Sequence, residues 1–353
     1  MTSPRVPPAV HRGGRRRRRR RKVVLGASAI GAALALSACG GDDGGRLTVY
    51  SGRSEELIGP LLDRFAEETG TEIDVFYDGS TEVALKLDAE GDESPADVFL
   101  SQAPGPLGFL DDQGRFEVLP DELLDQVDPA YRATDGDWVG VSARARVLAF
   151  DPDRTVEDTL PASVLDLTSA DYEGRVGIAP TNASFQDWIS ALRVEIGDEA
   201  TSDYLAGLAA NGARTYPNNL AVVDAVDRGE VDFGLVNHYY VLEVKAQDPD
   251  LNVDNHFFPA DDPGSLVLVS GVAVLETSER VDAAEEFVDF LLSTESQQYL
   301  AEETREFPLA GGATAAAELP PLTDVATASV DLAALGAQFS STVQLIEDAG
   351  FSG

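Results

Sequence analysis

Two tyrosines in a row, Tyr239 and Tyr240, close the segment Asn237-His238-Tyr239-Tyr240, and their phenols are the sharpest chemical feature of the chain. Adjacent tyrosines are most often core or rim aromatics. As phenolates, however, they are hard anionic donors suited to a small, highly charged cation such as Fe3+, as hard oxygen ligands suit hard ions generally. A free phenol has a pKa of about 10, so a cation bound in this way displaces protons and is held more tightly as pH rises.

Catalytic chemistry finds less support. The chain has no His-Glu-x-x-His, no Gly-x-x-x-x-Gly-Lys, no Gly-x-Ser-x-Gly and no Gly-x-Gly-x-x-Gly. With 62 Asp and Glu, a carboxylate pair at catalytic spacing carries no information. No catalytic residue is assigned, and a binding protein is expected rather than an enzyme.

The tyrosine pair follows a strand-like run, 231–236, within a chain that alternates strands and helices. A buried strand is predicted over 47–51. A helix follows over 55–69, with Leu57, Ile58, Leu61, Leu62 and Phe65 at helical spacing, Ser54 as its N-cap and Gly70 as its stop. Further strands are predicted at 72–77 and 96–100, with a helix at 81–90 between them. This opening argues for a parallel sheet covered by helices. Ligands of such sheets sit at the carboxyl ends of strands, which makes Ser51–Ser54 and Ser101-Gln102 cleft-loop candidates. The long run 138–151 is strand-like with small residues in its middle, suited to crossing between lobes. A second alternation covers 175–236, a strand 266–275, helices 281–292 and 295–303, and a helical tail 326–349.

The amino-terminal residues have a different purpose. Residues 1–22 hold ten Lys and Arg and no acidic residue, and an apolar run of small residues, 23–38, follows. That is the layout of an export signal, and the run is shorter than the roughly 20 residues of a membrane span. Leu36-Ser37-Ala38-Cys39 resembles the box of bacterial lipoprotein signals, which are cut before a cysteine that is then lipidated. Cys39, the sole cysteine, is therefore expected to anchor the protein to the outer face of the cell membrane. Residues 39–46, rich in Gly and Asp, are expected to form a flexible tether. Beyond residue 38 the chain keeps 16 of its 26 Lys and Arg against 62 acidic residues, a formal net charge of −46. A surface so negative repels nucleic acid and anionic lipid, so neither is expected as a partner of the folded part.

Several segments together, in order, resemble the periplasmic ferric-ion-binding proteins of bacterial ABC importers. They are Leu-Thr-Val-Tyr-Ser-Gly-Arg-Ser at 47–54, Ser-Pro-Ala-Asp-Val-Phe-Leu-Ser-Gln at 94–102 and Ser-Ala-Arg-Ala-Arg-Val at 142–147. Tyr-Pro-Asn-Asn at 216–219, Gly-Glu-Val-Asp-Phe-Gly-Leu-Val-Asn-His-Tyr-Tyr at 229–240 and Asp-Pro-Gly-Ser-Leu-Val at 262–267 complete the set.

The resemblance implies an α/β, two-lobed periplasmic-binding-protein fold, transferrin-like, with Fe3+ in the cleft. The implied lobes are 47–145 plus 271–320, and 146–270 plus 321–353. Tyr239 and Tyr240 match the family's metal ligands, and Arg144 an arginine beside a bound synergistic anion such as carbonate or citrate. Asn182, Ala183 and Ser184 match the loop that touches that anion, and Asn219 and Asn237 match cleft asparagines. Asn182–Ser184 and Asn218–Asn219 each precede a predicted helix, whose free N–H groups suit an anion.

Some members add a histidine and a glutamate from the first lobe. Ser54 and Gln102 stand at those positions here, so carbonate, citrate, water or Glu55/Glu56 are the candidates to complete the coordination. Arg146 is expected to form an ion pair or line a strand face, His238 and Tyr50 to be rim or packing residues, His256 to be structural and Trp188 to be core. The implied partners are the permease and ATPase subunits of an ABC importer, and a monomer is expected. The alternative ligand is a small organic anion or a ferric chelate in the same cleft. A secreted hydrolase has no positional support.

Overall fold

The first strand, β1 (Leu47–Ser51), is buried along nearly its whole length, and the helix after it explains why. In α1 (Glu55–Thr69) the side chains of Ile58, Leu61, Leu62 and Phe65 recur every three to four residues and are all buried against the sheet. Each such burial stabilises the fold by about 1.5–3 kcal/mol. Gly70 ends the helix at φ 76°, a left-handed conformation that suits a residue without Cβ. Ser54 occupies the N-cap position, but its hydroxyl makes no capping bond, contrary to the capping role expected of it.

The structure, a computed structural model, describes residues 46–156, 159–325 and 332–351. The signal segment and Cys39 lie outside these residues. After α1 come β2 (Ile73–Tyr77), α2 (Ser80–Glu90), β3 (Val98–Ser101), α3 (Pro104–Asp111), α4 (Asp121–Leu124) and β4 (Val139–Phe150). Then follow β5 (Val176–Ile178), α5 (Ala183–Ile196), α6 (Asp198–Ala210), β6 (Arg214–Thr215), α7 (Asn219–Asp227), β7 (Phe233–Asn237) and α8 (His238–Gln247). The last part holds β8 (Asp254–His256), β9 (Val267–Val274), α9 (Val281–Leu292), α10 (Thr294–Glu303), β10 (Phe307–Pro308), α11 (Leu322–Val325) and α12 (Phe339–Asp348). No helix among the described residues is long and apolar enough to cross a membrane.

The strands form one sheet in the order β2-β1-β3-β9-β4-β7-β5-β6, with β8 and β10 also on β4. A parallel sheet is expected from the alternation, but the sheet is mixed. β1, β2 and β3 run parallel, whereas β9 enters antiparallel to β3, and β4 is antiparallel to both β9 and β7. Strand-helix alternation does not encode direction when a strand from the far end of the chain inserts between two early ones.

β4 is the organising strand. Val139–Ala145 pairs with β9, and from Arg146 onward the strand pairs with β7. It thus runs from one half of the sheet into the other, with the change of partner between Arg144 and Arg146. Of the tail expected to be helical, 326–331 lie outside the described residues, and the described part is a 3-10 turn at Ala333–Gln338 followed by α12. That turn lies so close to α3 that a Cβ at Gly336 would overlap the backbone of Gly108 and Phe109.

Candidate metal centre

Tyr239 and Tyr240 are carried on the first turn of α8, which begins as soon as β7 ends. Tyr239 is fully buried and Tyr240 partly so, with ring centroids 4.2 Å apart and planes inclined by 34°. Gln102, just past the end of β3, reaches both: its Nε2–H group donates to the Tyr239 hydroxyl at 2.7 Å and the Tyr240 hydroxyl at 3.4 Å. Burial raises the Tyr239 pKa well above the ordinary phenol value, as do Tyr240 and Glu306, while Arg144 acts in the opposite sense. Without a cation to replace its proton, this phenol stays neutral.

Beside the tyrosines lies a cationic cradle. Arg144 Nε–H donates to Ser184 Oγ and Nη1–H to Ser270 Oγ, both at 3.1 Å, while Nη2 has no partner among the described residues. Asn237 Nδ2–H also donates to Ser184 Oγ, at 3.2 Å. With two bonds accepted, the serine keeps its own O–H free to donate. Ser184 sits in the first turn of α5, where Asn182 Oδ1 caps the helix by accepting its N–H at 3.1 Å, with Ala183 between them. Asn219, the first residue of α7, is fully buried with neither end of its amide bonded to a described residue, while Asn218 supplies the cap to Ala221 N–H. Helix N-termini with unpartnered buried donors are suited to an anion.

Of the two roles expected of Arg146, it takes the place on a strand, in β4, and not the ion pair. It has no carboxylate partner among the described residues. It donates from Nη1 to Asn237 Oδ1 at 3.0 Å and lies 5.8 Å from the Trp188 ring centre, with Nε and Nη2 unpartnered. Burial and then the neighbouring Arg144 pull its pKa down to about 9. A guanidinium in that position gains from any anion that reaches it.

Ser54 is exposed and bonded to neither tyrosine, so of the two first-lobe positions only Gln102 is brought to the pair. The packing readings of the other residues agree with the structure. His238 Nδ1 accepts the Ala145 N–H at 3.1 Å, and Nε2–H donates to the Arg305 carbonyl at 2.8 Å. Burial drops its pKa to about 4, so it is a neutral brace. Trp188 is core and donates to the Pro263 carbonyl, His256 packs on Phe258, and Tyr50 packs on Phe76.

Arg53, Glu306 and Asp187, all near the centre, carry no local signal in the sequence. Arg53 and Glu306 form a fully buried ion pair at 2.6 Å, with Ser142 and Thr304 also donating to the carboxylate. Burial opposes the Glu306 charge, but Arg53 outweighs it and holds the pKa below the usual range. Asp187 on α5 is also fully buried, accepting the Gly105 N–H from α3 at 3.1 Å, and burial lifts its pKa to about 7. Arg53 and Glu306 stand 253 positions apart, so no local pattern could have joined them.

Residues 93–330 match the family described as bacterial extracellular solute-binding protein. The chain is 32% identical over 327 residues to the Fe(3+)-binding periplasmic protein of Serratia marcescens, covering 92% of this chain and 95% of that one. It is also 32% identical over 308 residues to the major ferric iron-binding protein of Neisseria meningitidis serogroup B, covering 86% and 92%. The structure of iron-bound HitA from Pseudomonas aeruginosa superposes with a TM-score of 0.82 at 35% identity, over 86% of this chain and 99% of that one. The chain belongs to the bacterial extracellular solute-binding protein family, among the periplasmic ferric-ion-binding proteins, and shares their two-lobed α/β fold.

Proposed function

We propose that this protein captures Fe3+ outside the cell membrane, together with a small synergistic anion, and delivers it to the permease of an ABC importer. The observation that carries the reading is the convergence of the Tyr239 and Tyr240 hydroxyls on Gln102, across the two halves of the sheet. The iron displaces the phenol protons and is held by the two phenolates. The anion lies against Arg144, Ser184 and the start of α5, with Asn182, Ala183, Asn219 and Asn237 around it. Arg146 beside Arg144, without a carboxylate of its own, favours an anion with more than one charge, such as carbonate or citrate.

Lobes 47–145 plus 271–320 and 146–270 plus 321–353 close on this ligand by bending where β4 and β9 cross. Lipid on Cys39 holds the protein at the outer membrane face, near its permease and ATPase partners. Native mass spectrometry of the metal-stripped protein after incubation with ferric citrate tests the reading. One iron with one anion per chain is expected, and an organic solute bound without iron would overturn it.

A further inference from the structure

Fe3+ held by two phenolates keeps one positive charge, and neither Ser54, which is exposed, nor Gln102, an amide, brings it an anion. A carboxylate is present elsewhere. Glu243 lies on α8, four residues after Tyr239 and three after Tyr240. At about 100° per residue it stands roughly 40° round the helix from Tyr239 and roughly 60° from Tyr240, between the two. Helical side chains lean toward the N-terminus, so Glu243 leans over the turn that carries the tyrosines.

Burial acts most on the Glu243 carboxyl, followed by the charges of Glu306, Arg53 and Glu56, all from outside its own helix. Glu306 is already engaged by Arg53, Ser142 and Thr304. Glu243 is partly buried, and its carboxylate has no hydrogen bond or ion pair with any described residue.

We propose that Glu243 is an anionic donor to the bound ferric ion, completing with Tyr239 and Tyr240 a protein donor set drawn entirely from α8. Two phenolates and one carboxylate balance the ion's charge, leaving Arg144 and Arg146 to balance the exogenous anion. The inference rests on the ferric reading above. It assigns the second lobe the whole of the protein's anionic ligation and leaves the first lobe to close over it.

The test compares the unaltered protein with Glu243→Gln and Glu243→Asp in titrations with ferric citrate, read through the tyrosinate-to-iron charge-transfer band. Replacing an anionic donor by a neutral one makes the iron easier to reduce, so the Glu243→Gln band is expected to persist but move to longer wavelength. Affinity in citrate competition is expected to fall at least about tenfold, the lower end of losses seen even for outer-sphere changes at metal sites. Glu243→Asp, still anionic, is expected to recover part of the shift. A Glu243→Gln band at the original wavelength, with or without a loss of affinity, overturns the assignment. Absence of a band in the unaltered protein defeats the ferric reading itself, a result distinct from any change confined to Glu243.

Discussion

The amide of Gln102, at the end of β3, donates to the phenol oxygen of Tyr239, at the start of α8, over 2.7 Å. This bond ties the parallel half of the sheet to the half beyond Arg146, at the point where the candidate metal centre lies. It also measures how near the first lobe comes to the tyrosines: a side chain at position 102 is within reach of both hydroxyls. Glutamate there would add an anionic donor where an amide stands. Gln102→Glu is accordingly expected to bind Fe3+ about tenfold more tightly in citrate competition, on the scale of single-group effects at metal sites. Equal or weaker binding would show that position 102 does not reach the metal.

Arg144 has one unpartnered Nη2 and bonds to Ser184, which starts α5. If that edge holds the anion, Arg144→Met removes the charge and the fork together. Hydrogen bonds to charged groups are worth about 1.5–3 kcal/mol, or roughly one to two decades in affinity. The unaltered protein is expected to bind iron more tightly as bicarbonate is added, and Arg144→Met to lose that dependence. A variant that keeps the full bicarbonate response would place the anion elsewhere.

Asp187 gives a stability prediction with a definite sign. Burial lifts its pKa from 3.8 to about 7, so between those values the unfolded chain has lost the proton that the folded protein keeps. Stability from this group is therefore present at low pH and declines as pH rises from about 4 to about 7. At about 1.4 kcal/mol per pKa unit, the decline is roughly 4 kcal/mol. Asn accepts the Gly105 N–H equally well and carries no charge. Melting of the iron-free protein should find Asp187→Asn more stable than the unaltered protein at pH 8, with the advantage shrinking toward pH 5. An advantage that does not change with pH would refute this origin.

His238 works in the opposite direction over an overlapping range. Its pKa falls from 6.5 to about 4 in the fold, so the unfolded chain binds the extra proton and stability is lost as pH drops through that window. The two groups partly cancel in the unaltered protein. In Asp187→Asn the histidine is left uncovered, and the iron-free variant is expected to lose stability steadily as pH falls from about 6.5 to 4. A melting temperature that is flat across this range would contradict the buried neutral imidazole.

What could be read in the sequence follows from the range of the interactions involved. α1 was legible to the residue because its apolar spacing, and Gly70 after it, are local signals. The tyrosine pair stood out as a dipeptide, and Gln102 as the end of a strand. α8 carries no local signal, because His-Tyr-Tyr-Val-Leu-Glu-Val-Lys has no clear apolar stripe, and nothing local marks Glu243 either. α3 was hidden by its Pro-Gly-Pro start, although proline is acceptable in a first turn. The placement of β9 between β3 and β4, and the Arg53–Glu306 pair, depend on contacts between distant parts of the chain, and no local pattern records them.

The central claim is that the Tyr239 and Tyr240 phenolates hold Fe3+, and visible absorption tests it most directly. The metal-stripped protein, titrated with ferric citrate near neutral pH, is expected to develop a tyrosinate-to-iron charge-transfer band. That band should saturate at one iron per chain and be missing from the Tyr239→Phe/Tyr240→Phe variant, with the far-ultraviolet circular dichroism unchanged. A titration that yields no band at any ratio, or a band that survives in the double variant, would contradict the account.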